Sequence, residues 1–411
     1  MKLASNVRGR RAIGAVATVT AAAAAVGLAV PALAAPAAPA ARVLSGGQVA
    51  GRAAVPWSKV GPGWALAEYS ATQEGEGVKF KAGSSTLYLV DPQGGRYKLI
   101  TWSASSARAK WYLLGWSGDA RRALFATAPG FVGGSGGREH VYQLQLRTGK
   151  VTGFTLPANV TALGYTRPDG LNILAGKGTP TSINSSITLQ RYSLTGKLQK
   201  NLAAVKGIDD FANGSGIAYN SGGTEIAAGN TTGLELISNA GGVIRKLPVP
   251  GAKDGCSAVR WWSKSTVLAS CAVINEPGPR MWLVPASGGR PTALTPVRTA
   301  SNITFDLGDF NAWQLSSGLY VDGFGGCGTL VIGRQPTHGK EQQVKVRGAA
   351  SSLIVNATKS TLMVERINAC SPGISLVWFN PSTRKMTVAI AVRQHQAGVT
   401  SVVPYYIAGK F

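Results

Sequence analysis

Five acidic residues fall in three short segments that share a polar, turn-forming character: Asp209 and Asp210 in KGIDDF, Asp254 in AKDGC, and Asp306 and Asp309 in NITFDLGDF. If the fold brings them together, three kinds of chemistry are open. Hard cations such as Ca²⁺ take six or more oxygen ligands from such groups. Carboxylates held about 5 to 9 Å apart can run glycoside chemistry. Aspartates in turns also cap backbone N–H groups with no ligand involved. Arg108 and Lys110 would bring positive charge to the same place.

Other chemistry-bearing residues are sparse. The segment GFGGCG (residues 323–328) fits G-x-G-x-x-G, but a dinucleotide site needs a helix directly after the glycines and an acidic residue about 20 further on. TLVIGR follows here, an apolar strand, so the glycines are expected to shape a hairpin loop. The three histidines, His140, His338 and His395, lie in separate segments, whereas a zinc site needs three or four convergent ligands. No histidine-based acid or base is expected.

Charge and the N-terminal segment narrow the setting. Lys2, Arg8, Arg10 and Arg11, an Ala-rich apolar run and Ala32-Leu33-Ala34 read as a secretory leader over residues 1–34, exported by the general or the twin-arginine route. Residues 35–56 read as a flexible Ala/Pro-rich linker, and 57–411 as one folded domain. Without the four basic residues of the leader, 38 Lys and Arg face 18 Asp and Glu, about +20. That excess suits an anionic partner, but the basic residues are scattered, without the aromatic interleaving that single strands require, and nucleic acid is not expected. No later apolar run is long enough to span a membrane.

A repeat organises the rest. Strand–turn–strand copies begin at Leu87, Val141, Ile187, Leu234, Met281, Leu330 and Leu376, with turns at Gly95, Gly149, Gly196, Gly242, Gly289, Gly339 and Arg384. Successive turn positions differ by 54, 47, 46, 47, 50 and 45 residues, enough for four strands each. Between the copies lie two further alternating runs around a polar turn, as in WYLLGWSGDARRALFATA and SAVRWWSKSTVLASC. The expected fold is all-β: a seven-bladed β-propeller, in preference to six or eight blades. Only one strand, WALAEYS, precedes the first copy, and one extra strand, TSVVPYYI from Thr400, follows the last. The ring is expected to close by the C-terminal strand pairing with the first blade, which removes two exposed edges. Loops leading into the innermost strands would then gather the five aspartates, Arg108 and Lys110 around one mouth of the channel.

The motifs GWSGDARRALFA (115–126) and the Gly288-Gly289 to Thr295 turn resemble the TolB-like propeller repeat, a WD40-like (PD40) family, over roughly residues 57–411. Trp116-Ser117-Gly118-Asp119 keeps the Asp but not the following Gly, Asp169-Gly170 keeps both, and YNSGG and WWSKS depart further. The resemblance implies a binding platform or a domain beside a catalytic one, and transfers no site. A serine peptidase domain, which often follows such propellers, would need about 200 further residues with a G-x-S-x-G elbow. Ser135 in GGSGG is expected to be a loop residue.

Four cysteines in an exported chain suggest two disulfides. With a two-residue turn at Ser263-Lys264, Cys256 faces Cys271, and Cys327 and Cys370 would occupy equivalent loops of neighbouring blades. The expected function is a secreted, monomeric, non-catalytic scaffold at the cell surface or cell wall, binding a protein or an anionic cell-envelope polymer, with Ca²⁺ as the one conceivable cofactor. The competing expectation is a carbohydrate-active hydrolase or lyase using the carboxylates of the mouth.

Overall fold

The computed structural model describes residues 44–73, 79–106, 108, 111–127, 138–178, 186–206, 216–298, 307–326, 329–337, 340–367, 373–393 and 395–405, with the side chain of Asp254 outside that set. Secondary structure is almost entirely strand. The first group is β1 (Val49–Gly51), β2 (Ala65–Gln73), β3 (Ser85–Val90) and β4 (Arg96–Trp102). Next come β5 (Trp111–Trp116), β6 (Arg122–Thr127), β7 (His140–Gln145) and β8 (Val151–Thr155), then β9 (Val160–Tyr165), β10 (Asn172–Lys177), β11 (Ser186–Ser193) and β12 (Leu198–Lys206). They are followed by β13 (Ile217–Tyr219), β14 (Glu225–Asn230), β15 (Gly233–Ser238) and β16 (Val243–Pro248), and by β17 (Ala252–Ser263), β18 (Thr266–Val273), β19 (Arg280–Pro285) and β20 (Thr292–Ala293). The chain ends with β21 (Asp309–Leu315), β22 (Gly318–Phe324), β23 (Leu330–Gln335) and β24 (Gln342–Gln343), then β25 (Ser351–Ala357), β26 (Leu362–Ile367), β27 (Ile374–Phe379), β28 (Met386–Ile390) and β29 (Gln396–Pro404).

Five four-stranded sheets form, starting at β5, β9, β13, β17 and β21, and each is an antiparallel meander in chain order. A nine-stranded sheet holds the remainder. One half is β25 to β28; the other runs β1-β4-β3-β2-β29. The halves meet at the single parallel pair Ile374↔Gly398. The last strand therefore lies antiparallel on β2, with Ala65 opposite Pro404 and Glu68 opposite Ser401.

Burial grades across each sheet. The second strands are apolar in unbroken runs, such as Ala123 to Ala126, Ile226 to Ala228 and Leu362 to Val364, all at or near zero exposure. A strand covered on both faces reads this way, while alternation marks a strand covered on one. The fourth strands β8, β12 and β16 are mostly exposed, and carry Lys200, Lys206, Arg245 and Lys246. Charged outer strands discourage edge pairing with other chains.

Apolar clusters bridge consecutive sheets. Trp102 of β4 meets Trp111 and Phe125 of the next sheet at ring distances of 6.1 and 6.0 Å. Leu124 and Val141 pack with Ala162 and Ile173, and Leu189 and Val205 with Ile226 and Ile237. Trp262 and Leu268 pack with Ala312 and Val321, and Met363, Leu376 and Trp378 with Ala65 and Val90.

The expected linker is corrected from Leu44 onward. Leu44 is buried, its N–H donating to Asp91 Oδ2 at 3.3 Å and Tyr97 Oη at 3.2 Å. Val49 to Gly51 pair in parallel with Arg96 to Lys98, and Val55 is buried. Two aliphatic anchors and three strand residues hold a segment that composition alone marks as spacer. Among the described residues no helix is long and apolar enough to cross a membrane.

Five of the repeat's seven turn positions share a backbone requirement; in the first turn it falls on Gly94, at φ 86°, rather than Gly95, and Gly339 lies outside the described residues. Gly149, Gly196, Gly242 and Gly289 have φ of 77°, 83°, 91° and 113°, and Arg384 stands at the corresponding turn with φ 58°. A side chain in the left-handed region costs about 1 to 2 kcal/mol, offset in part by glycine's larger unfolded-state entropy. Arg384→Gly is expected to stabilise the protein by about 0.5 to 1 kcal/mol in chemical denaturation. Truncation before Gln396 strips β2 of its partner and is expected to lower the melting temperature by at least about 10 °C; a truncated chain melting like the whole one would remove this role for β29.

Candidate functional site

A cavity of about 770 Å³ is lined by residues of β5, β9, β13, β17, β21, β25 and β29, the innermost strands of their groups. Bulges aim side chains into it. In β5, β9, β17 and β25 a residue at the corresponding place is left out of the pairing with the second strand: Leu114, Leu163, Val259 and Val355, and β17 skips Trp262 as well. The four aliphatic residues line the cavity. Phe310 of β21 and Thr400 of β29 are left out in the same way, two residues further along the second strand, and Phe310 lines the cavity too. An extra residue breaks the two-residue alternation and re-aims the side chains beyond it. The wall is thus built of aliphatic bulge residues, with aromatic residues Trp116, Tyr165, Tyr219, Trp313 and Tyr405 around them.

Against this wall one charged group has a distinctive setting. Arg260 comes directly after the bulge in β17, and its Nη1 donates to Asn311 Oδ1 at 2.9 Å. Its guanidinium lies 3.8 Å from the centroid of the Trp313 ring and 5.9 Å from that of Trp262. Nη2 is buried and donates to no group of the protein. Burial pulls the Arg260 pKa down to about 9, with the Asp322 carboxylate acting in the opposite direction, so it stays protonated at neutral pH. Trp313 joins the two: its face takes Arg260 and its Nε1 donates to Asp322 Oδ2 at 3.3 Å, while Ile354 N donates to Asp322 Oδ1 at 2.8 Å. The cavity wall thus carries a positive group in mainly apolar surroundings, which suits the anionic end of a small molecule with an apolar body.

The residues singled out in the sequence have other fates. Asp309 does not face an open mouth: it is fully buried and receives Arg298 as a fork, Nη2 lying 2.7 and 2.8 Å from its two oxygens. Arg298 also reaches Glu341 at 2.8 Å and Gln335 at 3.0 Å, which ties the segment after β20 to β21, to the end of β23 and to the residue before β24. Asp209, Asp210, Asp306 and Lys110 lie outside the described residues, as do Cys327, Cys370, His338 and Ser135. Asp254 belongs to β17. Arg108 sits 5.3 Å from the Trp111 ring centroid, a cation–π contact. His140 is exposed and bonded through Nδ1 to Thr155 Oγ1 at 2.8 Å. Among the described residues no group of three or more His, Cys, Asp or Glu could hold a metal ion.

The disulfide Cys256–Cys271 is present, on residues directly opposite in β17 and β18. Its turn is Lys264-Ser265, not Ser263-Lys264, because Ser263 pairs with Thr266 and two irregularities in β17 bring the register back at the cysteines. Arg260 and the bulge beside it were missed for the same reason. The signal was a cation inside an otherwise apolar strand, in SAVRWW.

No protein-family model matches the chain, and no curated protein sequence is similar to it. Solved structures are similar in fold. A Mycobacterium tuberculosis puromycin-hydrolyzing peptidase matches with TM-score 0.48 and 15% identity, over 80% of this chain and 53% of that one. The β-propeller domain of the Trilobed protease from Pyrococcus furiosus matches with TM-score 0.47 and 9% identity, over 80% and 95% of the two chains. A periplasmic gluconolactonase of Pseudomonas aeruginosa matches with TM-score 0.44 and 13% identity, over 82% and 98%. The chain spans about half the length of the first of these. At such identity the likeness is one of fold, the β-propeller fold. The expectation of a non-catalytic scaffold, and with it the classing of the chain as no enzyme, is corrected by these matches: the similar chains include hydrolases, so this fold does not mark a protein without chemistry.

Burial raises Glu68 and Glu365 to about 7, and Glu139 and Asp322 to about 8. A carboxyl poised near neutrality can serve as acid or base. Their placement gives a different answer. Glu68, Ser270, Asp322 and Glu365 occupy one register position in their second strands, opposite Leu87, Met281, Ile332 and Leu376. From it Glu68 accepts the Leu113 N–H, Ser270 Oγ donates to Asp309 O at 2.9 Å, and Asp322 accepts Ile354 N–H. Gly229 holds the same position in β14, where a Cβ would come within 1.9 Å of Cys256 O. Glu68, Gly229, Ser270 and Asp322 thus meet the first strand of the following sheet. These groups are seam residues, and none lines the channel cavity.

Seam carboxyls make stability depend on pH. A folded pKa near 7 lies above the unfolded value of about 4.3, so the native state holds the extra proton between them. Their contribution is full below about pH 4 and is lost as the pH rises through 7 and 8. Melting temperature is expected to fall from pH 5 to pH 8, and Glu365→Gln, where burial alone raises the pKa, is expected to flatten that fall. An unchanged slope in the variant would show that Glu365 does not titrate in this range.

Proposed function

We propose that the chain is a seven-bladed ring, one blade for each of the five four-stranded sheets and for each half of the nine-stranded sheet, closed by β29 on β2. The reading is supported by the one cavity that all seven innermost strands line, and by the apolar contacts between the two halves. Kinship with TolB-like propellers rests on the repeat turns: Ser117 Oγ donates to Asp119 Oδ1 at 2.6 Å, and Asp119 Oδ1 accepts Arg121 N at 3.0 Å. Both residues thereby act in the hairpin turn. Export through the N-terminal leader belongs to the same proposal, and the Cys256–Cys271 disulfide suits an oxidising compartment.

The function proposed is recognition of a small carboxylate-bearing molecule in the central channel. One observation carries it: Arg260, protonated and stacked on Trp313, has a buried Nη2 with no acceptor in the protein, in the wall of a cavity large enough for a ligand. An unmet charged donor is costly, and a carboxylate oxygen would satisfy it. Asn311 fixes the guanidinium from the other side, and the bulge residues supply apolar contact.

Calorimetric titration with phenylacetate and octanoate, against their uncharged amides, tests this. The acids are expected to bind and the amides to bind at least about tenfold more weakly; Arg260→Gln is expected to weaken the acids by about tenfold to a hundredfold. Equal affinity for acid and amide, or an unaffected variant, would overturn the proposal. Carboxylate-bearing esters, amides and lactones added in the same way report the ligand's fate, because release of acid that depends on Arg260 identifies hydrolysis.

A further inference from the structure

A second cavity, of about 670 Å³, opens between the β9 sheet and the β13 sheet, at the end of the strands where their first hairpins turn. It is a separate cavity from the one that Arg260 lines, with Arg167 at the edge of both. Among the described residues its walls carry Arg167, Arg191 and Lys200 and one carboxylate, Asp169. Arg191 and Lys200 are directly opposite one another on β11 and β12. Like charges in that relation destabilise a sheet. No carboxylate offsets them: Asp169 Oδ1 accepts the Leu171 N–H at 3.0 Å within its own turn, and the ion pairs found among the described residues involve neither Arg191 nor Lys200.

The cavity is built as well as charged. Arg191 Nη1 donates to Asn239 O across the cleft at 2.8 Å, which fixes the guanidinium plane, and leaves Nε buried with no partner. The Asn239 side-chain oxygen is also buried without a partner, and rotation of that amide would present its NH₂ group there instead. Gly223, at φ 67°, brings its turn so close to Arg167 that a Cβ would fall 1.8 Å from Arg167 O. The turn carrying Arg167 is thereby clamped from the neighbouring sheet.

We infer that this cleft between the β9 and β13 sheets binds a tetrahedral dianion, the phosphoryl or sulfuryl group of a small ester, through Arg191 and Lys200 with Arg167 beside them. Arg191 and Lys200 carry two positive charges that no carboxylate pairs among the described residues, which a dianion neutralises and a monoanion does not. A planar guanidinium offering Nε beside a flexible ammonium suits the separated oxygens of such a group. The cavity is much larger than the ion itself, so room remains for the ester's organic part.

The test uses the full chain at constant ionic strength, with chloride replaced stepwise by inorganic phosphate in one arm and by sulfate in another, at pH 7.5. Saturable thermal stabilisation and a calorimetric isotherm are expected with at least one dianion, and the tighter of the two names the ester class. Lys200→Gln and Arg191→Gln are each expected to weaken that binding at least tenfold. Lys200 is exposed, so Lys200→Gln should fold normally, with an ion-free melting temperature equal to or above the parent's because a like-charge contact is gone. Stabilisation that chloride reproduces, or that survives in Lys200→Gln, would overturn the inference. Arg260→Gln serves as the control that leaves this site intact, which separates its failure from that of the channel reading.

Discussion

Every second strand is covered on both faces, and the covers are the neighbouring sheets. A four-stranded meander of this sequence exposes two apolar faces and cannot bury either alone; stacking against the next sheet buries one, and against the preceding sheet the other. Leu124, Ile226, Leu268 and Met363 reach zero exposure only through this arrangement. The bulged first strands, the seam carboxyls and the cavity between the first strands all presuppose it. So does the N-terminal segment, whose Leu44 and Val55 join the cluster between the β2 half and the β5 sheet.

Polar groups at the seams are tolerated for a definite reason. In β2, β14, β18 and β22 the residue opposite a fixed aliphatic position of the third strand meets the backbone of the next sheet's first strand, which is bulged. Buried peptide groups need partners. Glu68, Ser270 and Asp322 supply them in three sheets, and Gly229 solves the same contact by having no side chain. One geometric demand is met by a carboxyl, a hydroxyl and a hydrogen atom, which is why this position shows no single residue type along the repeat.

The repeat itself was legible because its turns impose φ above zero and its second strands are continuously apolar, two signals that survive in one sequence without comparison to others. The disulfide was legible because facing positions in a hairpin are fixed by parity, and two compensating irregularities in β17 preserved that parity at Cys256 and Cys271. Bulges were not legible. An extra residue leaves the composition of a strand unchanged, so SAVRWW shows the odd cation Arg260 but not that Val259 stands outside the ladder beside it. Asp309 was misplaced for a related reason: a loop aspartate looks available until its partner is known, and Arg298 lies eleven residues back, beyond the hairpin that sequence parity describes.

The channel site follows from the seam rather than being added to it. Asp322 is held by the backbone of the next sheet and by the N–H edge of Trp313, the positive rim of the indole, which leaves the electron-rich face free for Arg260. A direct ion pair would have engaged both ends of the guanidinium. The indole stands between Asp322 and the guanidinium, bonded to one by its N–H edge and stacked on the other by its face. Lengthening or removing the bulge at Val259 would turn Arg260 back into the sheet, so the same extra residue that opens the wall of the channel also decides that its charge faces inward.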